Sequence, residues 1–308
     1  VSTLAKAINK EGGSIQFLNF DTLSTKDLIK HYFKVDVLVI QFYGVIDDYA
    51  RKQIALAVLM GVAVVRNWAG TDVLKSLTVP KVTLSTKYVN KLVSVNITTT
   101  HVGLVVELNS IGIDCKLTTQ LFDYGIACEK EVVGTKSLGV MAYLPTDNQK
   151  FYGSKFMENL IIKFPQLTFV IVADNEHLFA KYSNVESVGK VKNMEPLWEK
   201  VGLLVRVTEH DGYPRVNLEA LLRGKYVIHN NKLPGVWVAE TNNEIEAAVQ
   251  RFIEQSESNY EGIEIAKKVL NSGGEKDLYL LYSKARVSVR QWMMALKELV
   301  KYYIRAKG

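Results

Sequence analysis

The chain has 308 residues, 48% of them apolar and 23% charged, with a formal charge of +6 and two cysteines. That length holds two α/β domains of ordinary size, and the composition is that of a globular protein rather than a disulfide scaffold or a low-complexity tract. Cys115 and Cys128 have no metal-ligand spacing, no apolar run reaches the ~18 residues of a membrane span, and no signal peptide is visible. A reducing, cytoplasmic setting is expected. The positive balance favours anionic partners: nucleotide phosphates, an anionic lipid surface or nucleic acid.

Residues 1–11 read as a helix and Ser14–Phe20 as a strand. A doubly wound domain usually opens with a strand and a Gly-containing loop. Neither is visible, so the numbered chain is expected to start after them or to have lost them. A strand at Val35–Phe42, Gly44, a helix from Asp47 to Met60 and a buried strand at Val62–Val65 follow. Asn67–Asp72 reads as a loop at that strand's carboxyl end. The alternation continues through Lys81–Leu84, a helix near Tyr88–Leu92, a strand at Val93–Ile97 and a helix at Val102–Ile111. The first half is Rossmann-like by pattern. Glu129–Ser137, charged and carrying Gly134, suits an interdomain hinge.

A second alternation opens with the strand Leu138–Tyr143 and a polar loop bearing Lys150 and Gly153. The helix Ser154–Phe164, the strand Leu167–Ala173, the short strand Val185–Val188 and a helical turn at Leu197–Lys200 come next. Trp237–Val238 and a helix at Asn243–Glu254 follow the central stretch discussed below. Tyr279–Lys307 reads as one long helix with Lys and Arg between its apolar residues. It is expected either to dock on the first domain or to lie as a basic amphipathic helix on a membrane surface.

The chemistry concentrates in Val205–Asn231. A buried strand, Val201–Val205, breaks at Thr208–Pro214. Gly212 relaxes the turn and Pro214 marks a helix start. Arg215–Leu222 has helical spacing, Gly224 closes it, and Tyr226–Ile228 begins another strand. This is a βαβ unit, whose ligand site lies beyond the carboxyl ends of its strands. A helix N-terminus there suits a phosphate, whereas Asp211 and Glu219, separated by seven residues, suit sugar hydroxyls. Together they point to a nucleotide joined to a sugar. The alternative is a solvated helix with an acidic N-terminal cap.

Asp211, Gly212, Tyr213, Pro214, Leu218, Glu219, Ala220 and Gly224 resemble the carboxylate-x7-carboxylate signature of retaining GT-B glycosyltransferases, the group containing sucrose synthases and bacterial mannosyltransferases. One departure is Asp211, where Glu is usual and the side chain is one methylene longer. Archaeal-looking members carry a similar His-Asp-Gly. The resemblance implies an α/β GT-B fold: two Rossmann-like domains facing across a cleft, with a C-terminal helix returning to the first. The expected divisions are 1–133 on the acceptor side, 138–285 on the donor side and the helix 286–308.

It also implies a set of roles. Asp211 would act at the donor sugar, with His101 and Asp72 supplied by the first domain. Glu219 would hold the ribose, and Gly212, Tyr213 and Pro214 would shape the phosphate seat. Lys150, Lys155, Arg206 and Arg215 compete to grip the pyrophosphate. The loop Gly189–Glu195, Met194 within it, would hold the base through backbone groups.

There is no Asp-x-Asp, no Gly-x-Gly and no Ser or Cys nucleophile motif. The absence of Asp-x-Asp suits a metal-independent reaction, and the resemblance implies transfer of a hexosyl group from a UDP- or GDP-sugar, with retention, to a glycan, lipid or protein acceptor. No cofactor is expected beyond that substrate. A peripheral membrane contact fits the basic helix, and nucleic acid does not fit, because no aromatic-basic platform is visible. A sugar-nucleotide epimerase and a catalytically silent nucleotide-sugar-binding protein are the alternatives.

Overall fold

The structure is a computed structural model that describes residues 8–9, 11–14, 23–41, 46–98, 102–118, 137–270 and 274–305. The chain divides into two compact units, Val1–Asp123 with Ser272–Gly308, and Tyr124–Asn271.

In the first unit, α1 (Thr25–Tyr32) precedes β1 (Val37–Ile40), and α2 (Asp48–Leu59) leads to β2 (Ala63–Trp68). Helices α3 (Gly70–Thr78) and α4 (Pro80–Val89) precede β3 (Val95–Thr98), and α5 (Val102–Ser110) precedes β4 (Lys116–Leu117). The four strands are parallel in the order β1-β2-β3-β4. The runs Val-Leu-Val-Ile in β1 and Ala-Val-Val in β2 are what a parallel sheet covered on both faces requires.

Two local expectations change here. Lys81–Leu84 belongs to α4, because Pro80 takes the first helical position, where its fixed φ and missing N–H cost nothing. Asn67 and Trp68 are the end of β2 rather than loop, and Asp72 already lies in α3. Most of the expected N-terminal helix, the strand over 15–20, Gly44, His101 and nearly all of the proposed hinge lie outside the described residues.

The second unit runs β5 (Gly139–Tyr143), a single 3-10 turn, α6 (Ser154–Lys163), β6 (Phe169–Val172), β7 (Val185–Ser187), α7 (Glu195–Lys200), β8 (Val201–Arg206), α8 (Arg215–Leu222), β9 (Tyr226–His229), β10 (Trp237–Val238), α9 (Asn242–Glu254) and α10 (Tyr260–Leu270). Its six strands are parallel in the order β10-β9-β8-β5-β6-β7. Val140, Phe169, Ile171, Leu203, Val205, Ile228 and Phe252 form the heart of its core, all nearly inaccessible. From β5 the chain builds outward to β7, then crosses and builds the other way from β8 to β10. The reversal lies between β5 and β8, and loops leaving a parallel sheet at such a point diverge and open a crevice.

The C-terminal segment is two helices, α11 (Gly274–Lys284) and α12 (Val289–Arg305), where the sequence reads as one. Ser288 makes the break. Its Oγ accepts from the Gln291 N–H at 3.3 Å, and its own N–H donates to Gln291 Oε1 at 2.8 Å. This reciprocal capping box starts a new helix. Leu278 and Tyr282 of α11 pack with Ala63, Val65 and Ile97 of the first sheet. Ala295 and Leu299 of α12 join Ile54 and Val58 of α2. The return to the first unit thus includes α11 as well as α12.

Candidate active site in the second unit

Two loops meet at the reversal point. The loop after β5 ends at Gly153, whose φ of +73° starts α6 from the left-handed region. A Cβ at Gly153 would stand 2.6 Å from the Val207 carbonyl oxygen, so only glycine lets this loop close against the end of β8. The Glu209 N–H then donates to the Phe151 carbonyl at 2.9 Å, joining the β5–α6 loop to the β8–α8 loop.

The joined loops present a compact polar cluster. Arg206, the last residue of β8, donates from Nε at 2.9 Å and from Nη2 at 2.6 Å to the same oxygen, Asp211 Oδ2. The two side chains are 14% and 19% exposed. Asp211 Oδ1 accepts from the Gly212 N–H at 3.0 Å. The Arg206 guanidinium lies 5.3 Å from the Tyr152 ring centre, and Tyr152 meets Tyr143 edge to face at 5.4 Å. Burial raises the Tyr152 hydroxyl pKa, so it stays a neutral hydrogen-bonding group. Asp211 is thus an arginine-held carboxylate at the crevice and does not cap α8, whose N-cap is Pro214 without a side-chain hydrogen bond.

With no side-chain cap, the partial positive charge at the start of α8 is not offset by a neighbouring side chain, which suits an anion as the sequence suggests. The turn is held from behind. Asn230 Oδ1 accepts from the Thr208 N–H at 3.1 Å, and its Nδ2 donates to the Thr208 carbonyl at 2.7 Å. Asn231 Nδ2 donates to the Asp211 carbonyl at 3.2 Å. The buried Tyr213 hydroxyl donates to the Pro234 carbonyl at 3.0 Å, and burial raises its pKa.

One helical turn on, Glu219 is partly buried, and that burial raises its pKa against the pull of Arg215 and Arg223. Arg215 Nε stands 3.4 Å from Glu219 Oε1. Arg223 caps the same turn, donating to the Glu219 carbonyl at 2.8 Å while pairing with Glu195 at the head of α7. Its guanidinium faces the buried Trp198 at 5.5 Å.

Arg206, Asp211 and Gly212 thus form one cluster, Arg215 and Glu219 meet one turn into α8, and Tyr213 and Pro214 lie in the turn between them. Lys150 and Lys155 flank the β5–α6 loop as exposed side chains, with no ion pair among the described residues. Met194 is the N-cap of α7, whose first residue, Glu195, ties to α8 through Arg223. Asp72 lies in the first unit, nearly inaccessible. Its Oδ1 caps α3 by accepting from the Ala69 and Val73 N–H groups at 2.8 and 3.0 Å. Burial lifts its carboxyl to about 6. Arg66 approaches that cluster from β2, its guanidinium 3.5 Å from the Trp68 ring centre.

Tyr152 and the Asn230–Asn231 pair are the groups sequence reading passes over as site residues. A signal existed for the second: two consecutive Asn directly after a strand, at its carboxyl end, suit clamping of a neighbouring turn. Nothing in sequence spacing announces that Tyr152 will meet Arg206.

Two parallel-sheet α/β units, with a crevice between β5 and β8 and a C-terminal return to the first unit, make up the GT-B type of fold. Among solved structures the chain is similar to HepE of Anabaena in complex with UDP, with a TM-score of 0.59 at 13% identity over 90% of this chain and 82% of that one. It is similar to sucrose-phosphate synthase of Thermosynechococcus elongatus, with a TM-score of 0.60 at 13% identity over 88% and 81%. It is also similar to the pneumococcal O-GlcNAc transferase GtfA in complex with UDP and GlcNAc, with a TM-score of 0.57 at 10% identity over 85% and 59%. At these identities what is shared is the fold. No protein-family profile and no curated protein matches the sequence.

Proposed function

We propose that the protein is a glycosyltransferase that takes a hexosyl group from a UDP- or GDP-sugar and passes it, with retention and without a metal, to a glycan, lipid or protein acceptor. The observation that carries the reading is the β5–β8 crevice. There an arginine-held carboxylate, an uncapped helix start and a partly buried glutamate stand in sequence along one βαβ turn. Structures of similar fold hold UDP or UDP-glucose, which supports the choice of ligand class.

The roles follow from charge. The α8 amides and the cations Arg206, Arg215, Lys150 and Lys155 take up the charge of the departing diphosphate, which removes the need for a divalent ion. Glu219 accepts from ribose hydroxyls. Asp211 faces the positive charge that develops on the sugar as the phosphate leaves. For retention, the acceptor hydroxyl enters on the face the phosphate vacates.

A second reading has one observation in its favour. Two Arg206 donors, Nε and Nη2, end on Asp211 Oδ2, which ties up that oxygen and suits a nucleotide-sugar-binding protein without transfer. One experiment separates the two. Nucleotide diphosphates and their sugars are screened by thermal shift, since a ligand of the native state raises the melting temperature. The best donor is then incubated in excess chelator with candidate acceptors, and the products are analysed. Transfer is expected. Binding with an intact donor supports the silent protein, an epimerised donor supports an epimerase, and no shift with any nucleotide overturns all three.

A further inference from the structure

Helix α12 has two apolar faces, and among the described residues the first unit covers only one of them. Ala295 and Leu299 are buried towards α2, with Gln291 and Glu298 on the same side. At helical spacing, Trp292, Met293, Leu296, Val300, Tyr303 and Ile304 fall on the opposite side, each 45–66% exposed. Val289 opens the stripe at 78% exposed. The row is about 22 Å long, and so many large apolar side chains in line on a water-facing helix mark a surface meant to be covered.

The charges along its edge say what covers it. Arg290, Lys297, Lys301 and Arg305 are all exposed and fall together on one flank of the stripe. The only acid in α12 is Glu298, turned inward 3.9 Å from Arg51. The basic flank continues at the turn that follows α4. Lys301 and Lys91 approach the Tyr88 ring at 5.5 and 5.6 Å. Two acids stand near this flank among the described residues: Asp48, which pairs with Arg51 and Arg305, and the buried Glu298, which is drawn to Arg51, Lys301 and Arg305.

An apolar stripe containing Trp and Tyr, edged by cations, matches the boundary between acyl chains and anionic headgroups. A second copy fits less well, because antiparallel pairing of two α12 stripes sets their basic edges side by side. We propose that α12 is a membrane-docking face, lying flat on an anionic bilayer with the stripe in the acyl boundary and the basic flank on the phosphates. This stands apart from the glycosyltransferase reading, since it draws on no residue of the crevice.

The test is sedimentation of the whole chain with mixed phosphatidylglycerol–phosphatidylcholine vesicles and with pure phosphatidylcholine vesicles. Binding to the first and not the second is expected, weakening as salt is raised. Trp292→Ser with Val300→Ser, and separately Lys297→Glu with Lys301→Glu, should each lower partitioning by ~10-fold or more. These positions are exposed, so the melting temperature should hold. The tryptophan emission should shift to the blue on binding and lose that shift in Trp292→Phe, because Trp68 and Trp198 are already buried and Trp237 packs against the second unit's core. Absence of binding, binding indifferent to both double variants, or self-association without vesicles that Trp292→Ser abolishes would each overturn the proposal, the last in favour of a second copy.

Discussion

Asp211 and Glu219 sit on one βαβ turn yet answer to different parts of the proposed donor. Asp211→Asn keeps the shape and the Gly212 contact but gives up the charge. In the proposed reaction the transfer rate should then fall by ~100-fold or more, the scale of losing one preorganised electrostatic group, while nucleotide diphosphate affinity changes less than tenfold. Glu219→Ala should do the reverse at the binding step, weakening the nucleotide by ~1–3 kcal/mol in calorimetry, the cost of unpairing a polar contact. A transfer rate untouched in Asp211→Asn would leave that side chain as a structural anchor for Arg206. Asp72 is a separate matter of stability. Its carboxyl is raised by burial to about 6, so the folded state binds the proton more tightly than the unfolded state. Stability from this group is therefore present at low pH and is lost as pH rises from about 4 to 6, roughly 3 kcal/mol for a shift of that size. Asp72→Asn should gain stability relative to the parent by about that amount between pH 4 and pH 8, measured by denaturant unfolding.

At the level of elements, the site depends on two loops closing rather than on either alone. Gly153 makes the closure possible, through its left-handed φ and the approach of Val207. Gly153→Ala should destabilise the second unit by roughly 2–4 kcal/mol, combining left-handed strain with an overpacked contact. It should also loosen the crevice, so nucleotide binding weakens in the folded fraction. A chemical melt and a titration on the same sample check both. Parent-like stability would show that the β5–α6 loop adapts without cost. The helix ends tell a related story. The Ser288–Gln291 box was available in the sequence as a Ser-x-x-Gln helix start, yet it was hidden inside one continuous helical periodicity. Periodicity reports that a segment is helical and does not report where the backbone restarts.

At the level of the molecule, the first unit is discontinuous, completed by residues from Ser272 onward. Leu278 and Tyr282 cover its sheet and Ala295 and Leu299 seal α2. A chain cut after Asn271 should keep a cooperative melt for the second unit, whose core lies within Tyr124–Asn271, and lose that of the first. Deleting several buried side chains at ~2–5 kcal/mol each exceeds the usual stability of a domain. Calorimetry and limited proteolysis would show one surviving transition and a protected fragment of the second unit. Two transitions in the cut chain would mean that the first unit does not need the return.

The division of labour between sequence and tertiary structure is clearest around β8 and α8. Their limits, the turn at Gly212–Pro214 and the pairing of Asp211 with Glu219 on one βαβ unit were legible. Each rests on local rules: a short apolar run, a helix-starting proline, a closing glycine. The parallel class of both sheets was legible for the same reason, since runs such as Phe-Val-Ile-Val permit no solvent-facing side. Strand order was not. That β5 and β8 are neighbours follows from how helices cover a sheet, and no stretch of sequence records it. The bond from Arg206 to Asp211, the Tyr152 contact and the Asn230–Asn231 clamp all depend on that adjacency or on β9 lying beside β8. The burial of Asp72 arises instead within the first unit, and it turns a residue read as loop into the cap of α3. Local propensity acts between residues a few positions apart, whereas a site at a strand reversal is assembled from chain segments whose separation in sequence carries no information about their contact.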